Sequence, residues 1–333
     1  MISVQAQDLT EHQWKIYTQF EIDLYRRYYP GDKYTEQDWE NMRRKIFSDL
    51  ELLSEDFLNH HVFFENEIAV GFLGIRLVGD GAEFVIDALY DTLPENFIRS
   101  VFKIVKRFMR DKNKTDINSY SRREAIIDAL KKEGGIIIDR KIFARIMRQD
   151  MNVIELNKIV KSVSERINYK LVLYDTIHEE ILDRYVDIYN EAREDMNKYN
   201  PDKPVIIKRT REDVLKKLRW DKGPNDKMFM YMLFDNDKIA AFCSLFIREE
   251  NKHMIDQAGG LTTVGRNYRG QNLARFLKAK IYLKMLEVYP DFEFIRTDTY
   301  PWNKYMYRIN EEMGFRAYEV YSEIRFSYED IIE

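Results

Sequence analysis

The stretch at residues 261–274, Leu-Thr-Thr-Val-Gly-Arg-Asn-Tyr-Arg-Gly-Gln-Asn-Leu-Ala, constrains this chain more than any other. Thr262, Thr263 and Val264 are strand formers. Leu273, Phe276, Leu277, Ile281, Met285 and Val288 recur at helical spacing and predict a helix with one apolar face. Between strand and helix lies a basic turn. A turn feeding a helix N-terminus presents backbone N–H groups that have no helical partner, and the helix dipole adds positive potential. That combination suits a phosphate or pyrophosphate. Gly270 lets the backbone approach an anion closely, and Arg266, Arg269 and Arg275 are expected to add charge.

Downstream, Phe-Glu-Phe-Ile-Arg-Thr-Asp at 292–298 reads as a strand and Thr-Tyr-Pro-Trp-Asn at 299–303 as a turn. A helix is expected at 304–313, ended by Gly314-Phe315 with glycine at the left-handed cap position. Residues 316–326 alternate into a closing strand pair. The loop and this succession together resemble the GCN5-related N-acetyltransferase (GNAT) superfamily. Its pyrophosphate loop usually reads Arg/Gln-x-x-Gly-x-Gly/Ala; Arg269 fits the first position and Ala274 the last. Asn272 stands where a second glycine is usual, and asparagine is the non-glycine residue that best tolerates a left-handed backbone. The resemblance covers roughly residues 170–326. It implies that Arg269, Gly270, Gln271, Asn272, Leu273 and Ala274 hold the pyrophosphate of acetyl-CoA, and that Asn303 contacts the pantetheine arm.

A chain of 333 residues favours two domains. Hydrophobic content of 45% beside 33% charged residues describes a soluble globular protein. Lys plus Arg number 53 against 57 Asp plus Glu, a net −4 that lacks the basic surplus of a nucleic-acid binder. The single cysteine, Cys243, excludes an intramolecular disulfide and is consistent with a reducing cytosol. No apolar run is long enough to span a membrane, and the first residues do not read as a secretion signal. The expectation is a cytoplasmic monomer or homodimer, with no nucleic-acid or membrane partner.

The first half predicts a helix over 8–29, a break at 30–32, a helix near 36–53 and a hairpin of 61–65 with 68–77. A strand at 83–89, a helix at 94–109, a short segment at 115–120, a helix at 122–132 and strands at 136–146 follow. A connecting helix or strand covers 148–164. The second half repeats this order: a strand at 170–174, a helix at 179–193, a loop at 200–204 and a capping box at Thr210 and Asp213. A hairpin of 228–234 with 239–247 and one strand over 253–264 then lead into the basic turn. Asn-Glu-Ile-Ala-Val-Gly-Phe at 66–72 parallels Asn-Asp-Lys-Ile-Ala-Ala-Phe at 236–242. The reading is a tandem repeat. The fold class is α+β (mixed α/β): two GNAT-like domains, each a mostly antiparallel mixed sheet flanked by helices, at 1–150 and 165–333. The first copy lacks the phosphate loop, and Asp87, Asp91 and Glu95 put negative charge where an anion would sit.

The resemblance implies acetyl transfer from acetyl-CoA to a primary amine of a small molecule or peptide. Such a reaction needs the amine deprotonated, the thioester carbonyl polarised and the departing thiolate neutralised. Backbone N–H groups of Thr262, Thr263 and Val264 are candidates for the carbonyl, because the family opens its sheet there. Many members use a tyrosine four residues before the Gly-Phe pair to protonate the thiolate. That position here is Asn310, which supplies no acidic proton but can hold a water. Tyr307, on nearly the same helix face, is the substitute acid. Asp256 is the candidate base, with Glu249 and Glu250 behind it. The five histidines, His12, His60, His61, His178 and His253, show no ligand spacing, so no metal is expected. The other reading is a module that holds acyl-CoA without turnover, as a sensor.

Overall fold

The computed structural model describes residues 1–28, 59–78, 81–199, 208–221, 226–248, 252–329 and 331. The expected break at 30–32, the helix near 36–53, the loop at 200–204, and Glu249 and Glu250 lie outside these residues. The chain divides into two compact units, Met1–Arg140 with Tyr321–Glu333, and Lys141–Val320.

In the first unit the strands run β1 (Ile2–Gln5), β2 (Asn59–Glu65), β3 (Ile68–Val78), β4 (Gly81–Ala88) and β5 (Asp116–Ser121). They pair in that order, antiparallel except for the parallel β4–β5 step, and residues 322–327 of strand β13 (Arg316–Ser327) close the sheet against β5. Helices α1 (Glu11–Tyr28), α2 (Glu95–Asp111) and α3 (Glu124–Lys132) pack on it. Phe97, Val101, Phe102, Val105 and Met109 put one face of α2 into a core with Phe84, Ile324 and Phe326. Trp14, Tyr17 and Phe20 of α1 join a second core with Val62 and Phe64.

The second unit opens with residues 141–147 of β6 (Ile136–Met147) and, after a 3₁₀ turn at 148–150, helix α4 (Val153–Ser164), so the connecting segment is helical from Val153 on. Then come β7 (Lys170–Tyr174), α5 (Glu179–Tyr199), α6 (Arg211–Asp221), β8 (Lys227–Asp235) and β9 (Lys238–Ile247). β10 (Met254–Asp256), β11 (Thr262–Val264), α7 (Leu273–Val288), β12 (Phe294–Thr299) and α8 (Lys304–Glu312) complete it. The sheet order is β7-β8-β9-β10-β12-β6, antiparallel except for the parallel β10–β12 step. One face carries α4 and α7 over an aliphatic and aromatic core; the other carries α5 and α6.

The pairing pattern is therefore the same in both units. The two hairpins agree residue for residue: Glu65↔Ile68, Phe64↔Ala69 and Phe63↔Gly71 recur, offset by 170, as Asp235↔Lys238, Phe234↔Ile239 and Leu233↔Ala241, bulge included. Asn66 and Asn236 both take left-handed turns, a conformation this residue type tolerates.

Two expectations need correction. Residues 316–326 form one strand, not a pair, because the two halves of β13 go to different units and need no turn. β6 is likewise one continuous strand. The two compact units divide at Arg140 and Val320.

Candidate active site

The strand expected over 253–264 is broken, and the break makes the site. β10 pairs in parallel with β12 only from Met254↔Phe294 to Asp256↔Arg296, with Gln257 N–H donating to Arg296 O at 2.9 Å as the last bond of that edge. β11 resumes on β9 alone among the described residues. The cause is local. Gly260 lies so close to β9 that a Cβ would stand 2.2 Å from the Ser244 carbonyl oxygen, and Ser244 Oγ accepts Leu261 N–H at 2.9 Å. Beyond this vertex β11 and β12 separate. Ser244 N–H donates to Leu261 O at 2.9 Å and Gly265 N–H to Ala240 O at 2.9 Å. By antiparallel alternation Thr263 shares their orientation toward β9, while Thr262 and Val264 turn N–H and C=O to the open edge. Of the three expected amides, Thr263's is thus committed to the ladder.

After Gly265 a short 3₁₀ turn, Arg266–Tyr268, leads to Arg269 and Gly270. Gly270 has φ +81°, and nothing lies within 4 Å of where a Cβ would be. Asn272 is left-handed (φ 60°, ψ 21°), as its tolerance of that region suggested, and makes no side-chain cap to α7 among the described residues. The first-turn N–H groups at Leu273, Ala274 and Arg275 have no helical acceptor. A backbone open at Gly270 beside an uncapped helix start fits a pyrophosphate. Gln271 accepts a bond from Tyr169 OH at 3.1 Å.

The arginines are not the free charges expected. Arg266 reaches Asp195 at 2.7 Å and Glu194 at 3.1 Å, Arg269 pairs with Asp195 and donates to Val264 O at 3.3 Å, and Arg275 pairs with Glu312. Burial alone would raise the Asp195 carboxyl; the bonds from Arg266 and Arg269 outweigh it and hold the group below the usual range. Acidic α5 thus pins the loop, and anion binding rests first on backbone amides.

Asp256 is misassigned as a base. It is 1% exposed, accepts from Arg248 at 2.8 and 3.1 Å, from Arg296 at 3.0 Å and from Gly259 N–H at 3.1 Å. Burial alone would push its pKa up, but Arg296 and Arg248 override that and hold it at about 2. A carboxylate so stabilised has little affinity for a proton.

On α8, Asn303 caps the helix through Oδ1, accepting Met306 N–H at 3.2 Å, so Nδ2 is what it offers a ligand. Tyr307 is half-buried one turn later. Asn310 is 3% exposed, and neither side-chain amide atom has a hydrogen-bond partner among the described residues. Such a group costs about 1–3 kcal/mol unless it is matched.

Sequence reasoning missed the polar cluster beneath the vertex. Lys278 is 1% exposed and donates to Gln257 Oε1 at 2.6 Å; Tyr282 OH donates to the same oxygen, and Gln257 Nε2 to Cys243 Sγ at 3.1 Å. Burial lowers the Lys278 pKa to about 8. The signal was available: Lys278 falls on the apolar face of α7, between Leu277 and Ile281.

The equivalent place in the first unit has the opposite polarity. There Arg123 donates to Asp87 at 2.6 Å and to the carbonyls of Ala88 and Tyr90, and Arg27 donates to Leu89 O at 2.7 Å. That loop turns the carbonyls of Ala88, Leu89 and Tyr90 toward guanidinium groups, whereas the space beside Gly270 is open.

No protein-family model and no curated protein matches this chain. Solved structures do. A tandem GNAT protein from the clavulanic acid biosynthesis pathway aligns over 81% of this chain and 82% of its own, with TM-score 0.61 at 14% identity. A GCN5-related N-acetyltransferase from Sphaerobacter thermophilus aligns over 85% of each chain, with TM-score 0.59 at 9% identity. At such identities the likeness is one of fold. The chain has the tandem GNAT fold.

Proposed function

We propose that the second unit is a CoA-dependent N-acyltransferase that moves an acetyl group from acetyl-CoA to a primary amine of a small molecule or peptide by direct transfer. The observation that carries this is the pairing of an amide-lined turn, Gly270 to Ala274, with a sheet that opens at Gln257 along the free edge of β11. Acyl-CoA, when bound, supplies an activated thioester carbonyl. Gly270–Ala274 amides hold the pyrophosphate, with Gln271 and Leu273 shaping the turn, and Asn303 Nδ2 holds the pantetheine arm. Thr262 and Val264 N–H groups polarise the carbonyl. Water takes the first proton of the acceptor ammonium, Tyr307 donates the proton that the thiolate needs and is restored by the proton the nitrogen releases after attack, and buried Asn310 holds a pantetheine amide or a water. The first unit binds no CoA, because its loop presents carbonyls and Arg123 fills the place. The reaction runs in the cytoplasm.

One specific pair of observations favours the second reading, an acyl-CoA-binding module without turnover: Asp256 is locked, and Asn310 replaces the usual tyrosine. Release of free thiol on mixing acetyl-CoA with a panel of amines separates the two. For the acid, Tyr307→Phe is expected to lower kcat by about 10²-fold or more with acetyl-CoA affinity nearly unchanged. Full turnover with a lowered Tm would make Tyr307 a packing residue.

A further inference from the structure

An alkylamine arrives at neutral pH as a cation and pairs favourably with a carboxylate it can reach; Asp256, buried between Arg248 and Arg296, is not one. Past the vertex, β12 carries Asp298 on the face of Arg296, with Tyr300 next beyond it on the same side. Across the ladder β6 sets Arg145 opposite Arg296 and Phe143 opposite Asp298, so Lys141 shares that face. Lys141 Nζ lies 2.7 Å from Asp298 Oδ2, 5.5 Å from the Tyr300 ring centre and 5.9 Å from that of Phe143. Tyr300 stacks on Trp302 at 5.0 Å and 12°. The Lys141 and Asp298 side chains are 34% and 20% exposed. Asp298 follows Arg296, the last β12 residue paired with β10, by two positions, which puts its charge beside the opening. A carboxylate with ring faces around one ammonium is the chemistry of alkylammonium recognition.

We propose that Asp298, flanked by Tyr300 and Phe143, binds the acceptor's primary ammonium before it is deprotonated, and that the Lys141 ammonium is an internal placeholder that a substrate displaces. The idea rests on the acyl-transfer reading and names its acceptor class: a primary alkylamine carried in as a cation. The competing role is a salt bridge that only braces β12 against β6.

The test is calorimetric binding of n-butylamine, protonated at pH 7, against n-butanol, on the full chain. Lys141→Met and Lys141→Gln are expected to bind n-butylammonium at least tenfold more tightly than the parent and to prefer it to n-butanol by a similar factor. Adding Asp298→Asn to either should abolish that preference. No gain in both lysine variants, or equal affinity for amine and alcohol, would overturn the proposal. Titrating the same variants with acetyl-CoA keeps the two ideas apart. Loss of acetyl-CoA binding in the parent defeats the transferase reading, whereas intact acetyl-CoA binding without the amine preference defeats only this one.

Discussion

Asp256 and Gln257 are neighbours that point to opposite faces of the sheet, and each anchors a buried charge: Asp256 between Arg248 and Arg296, Gln257 on Lys278. Asp256 has its folded pKa below the unfolded value, near 2 against 3.8. Its contribution is therefore fully present above about pH 4 and is lost as pH falls through 2, on the order of 2 kcal/mol. Asp256→Asn should lower stability at pH 7 by roughly 3 kcal/mol, because it leaves guanidinium charge underpaired, and should flatten the acid limb of a Tm-against-pH curve between pH 4 and 2. An unchanged acid limb would show that the pairing is not as described. The position of this carboxylate at the loop-bearing strand was legible in sequence. Its role was not, because Arg296 lies 40 residues away and only the parallel β10–β12 register brings the two together.

At the scale of elements, the broken strand is what gives this unit a cleft. Local propensity favoured one strand over 253–264, and Gly259-Gly260 carried the only hint of a break. What the sequence could not display was the tight approach to Ser244 that forces it. Gly260→Ala puts a Cβ 2.2 Å from a backbone oxygen, so the strand must move. Overpacking of this kind costs about 1–3 kcal/mol, and acetyl-CoA affinity should fall about tenfold as the edge of β11 shifts. A variant with parental Tm and affinity would show that the break does not depend on this glycine. The turn itself was more legible: a helix start at Leu273 follows from residue types, and a left-handed Asn272 from its place in the motif that the resemblance supplied, together with asparagine's tolerance of that region. The ion pairs of Arg266 and Arg269 with α5 do not, since they join residues more than 70 positions apart.

For the whole molecule, the repeat was visible in the paired hairpin sequences, and the 170-residue offset of turn and bulge bears it out. Where the compact units divide within β6 and β13 was invisible, because both strands alternate in the same way along their whole length. The central claim concerns asymmetry between equivalent turns: the backbone is open at Gly270 ahead of an uncapped helix start, whereas Arg123 occupies the carbonyls of Ala88 and Tyr90. Calorimetric titration with acetyl-CoA tests it most directly, with Gly270→Asn and Gly270→Asp as a matched pair. Asparagine and aspartate have nearly the same shape, and both tolerate the left-handed backbone, so their difference isolates charge beside the pyrophosphate. The account predicts one site per chain in the parent, a loss of affinity from bulk in Gly270→Asn, and binding at least tenfold weaker again in Gly270→Asp. Two equivalent sites, no binding at all, or equal affinity in the two variants would contradict it.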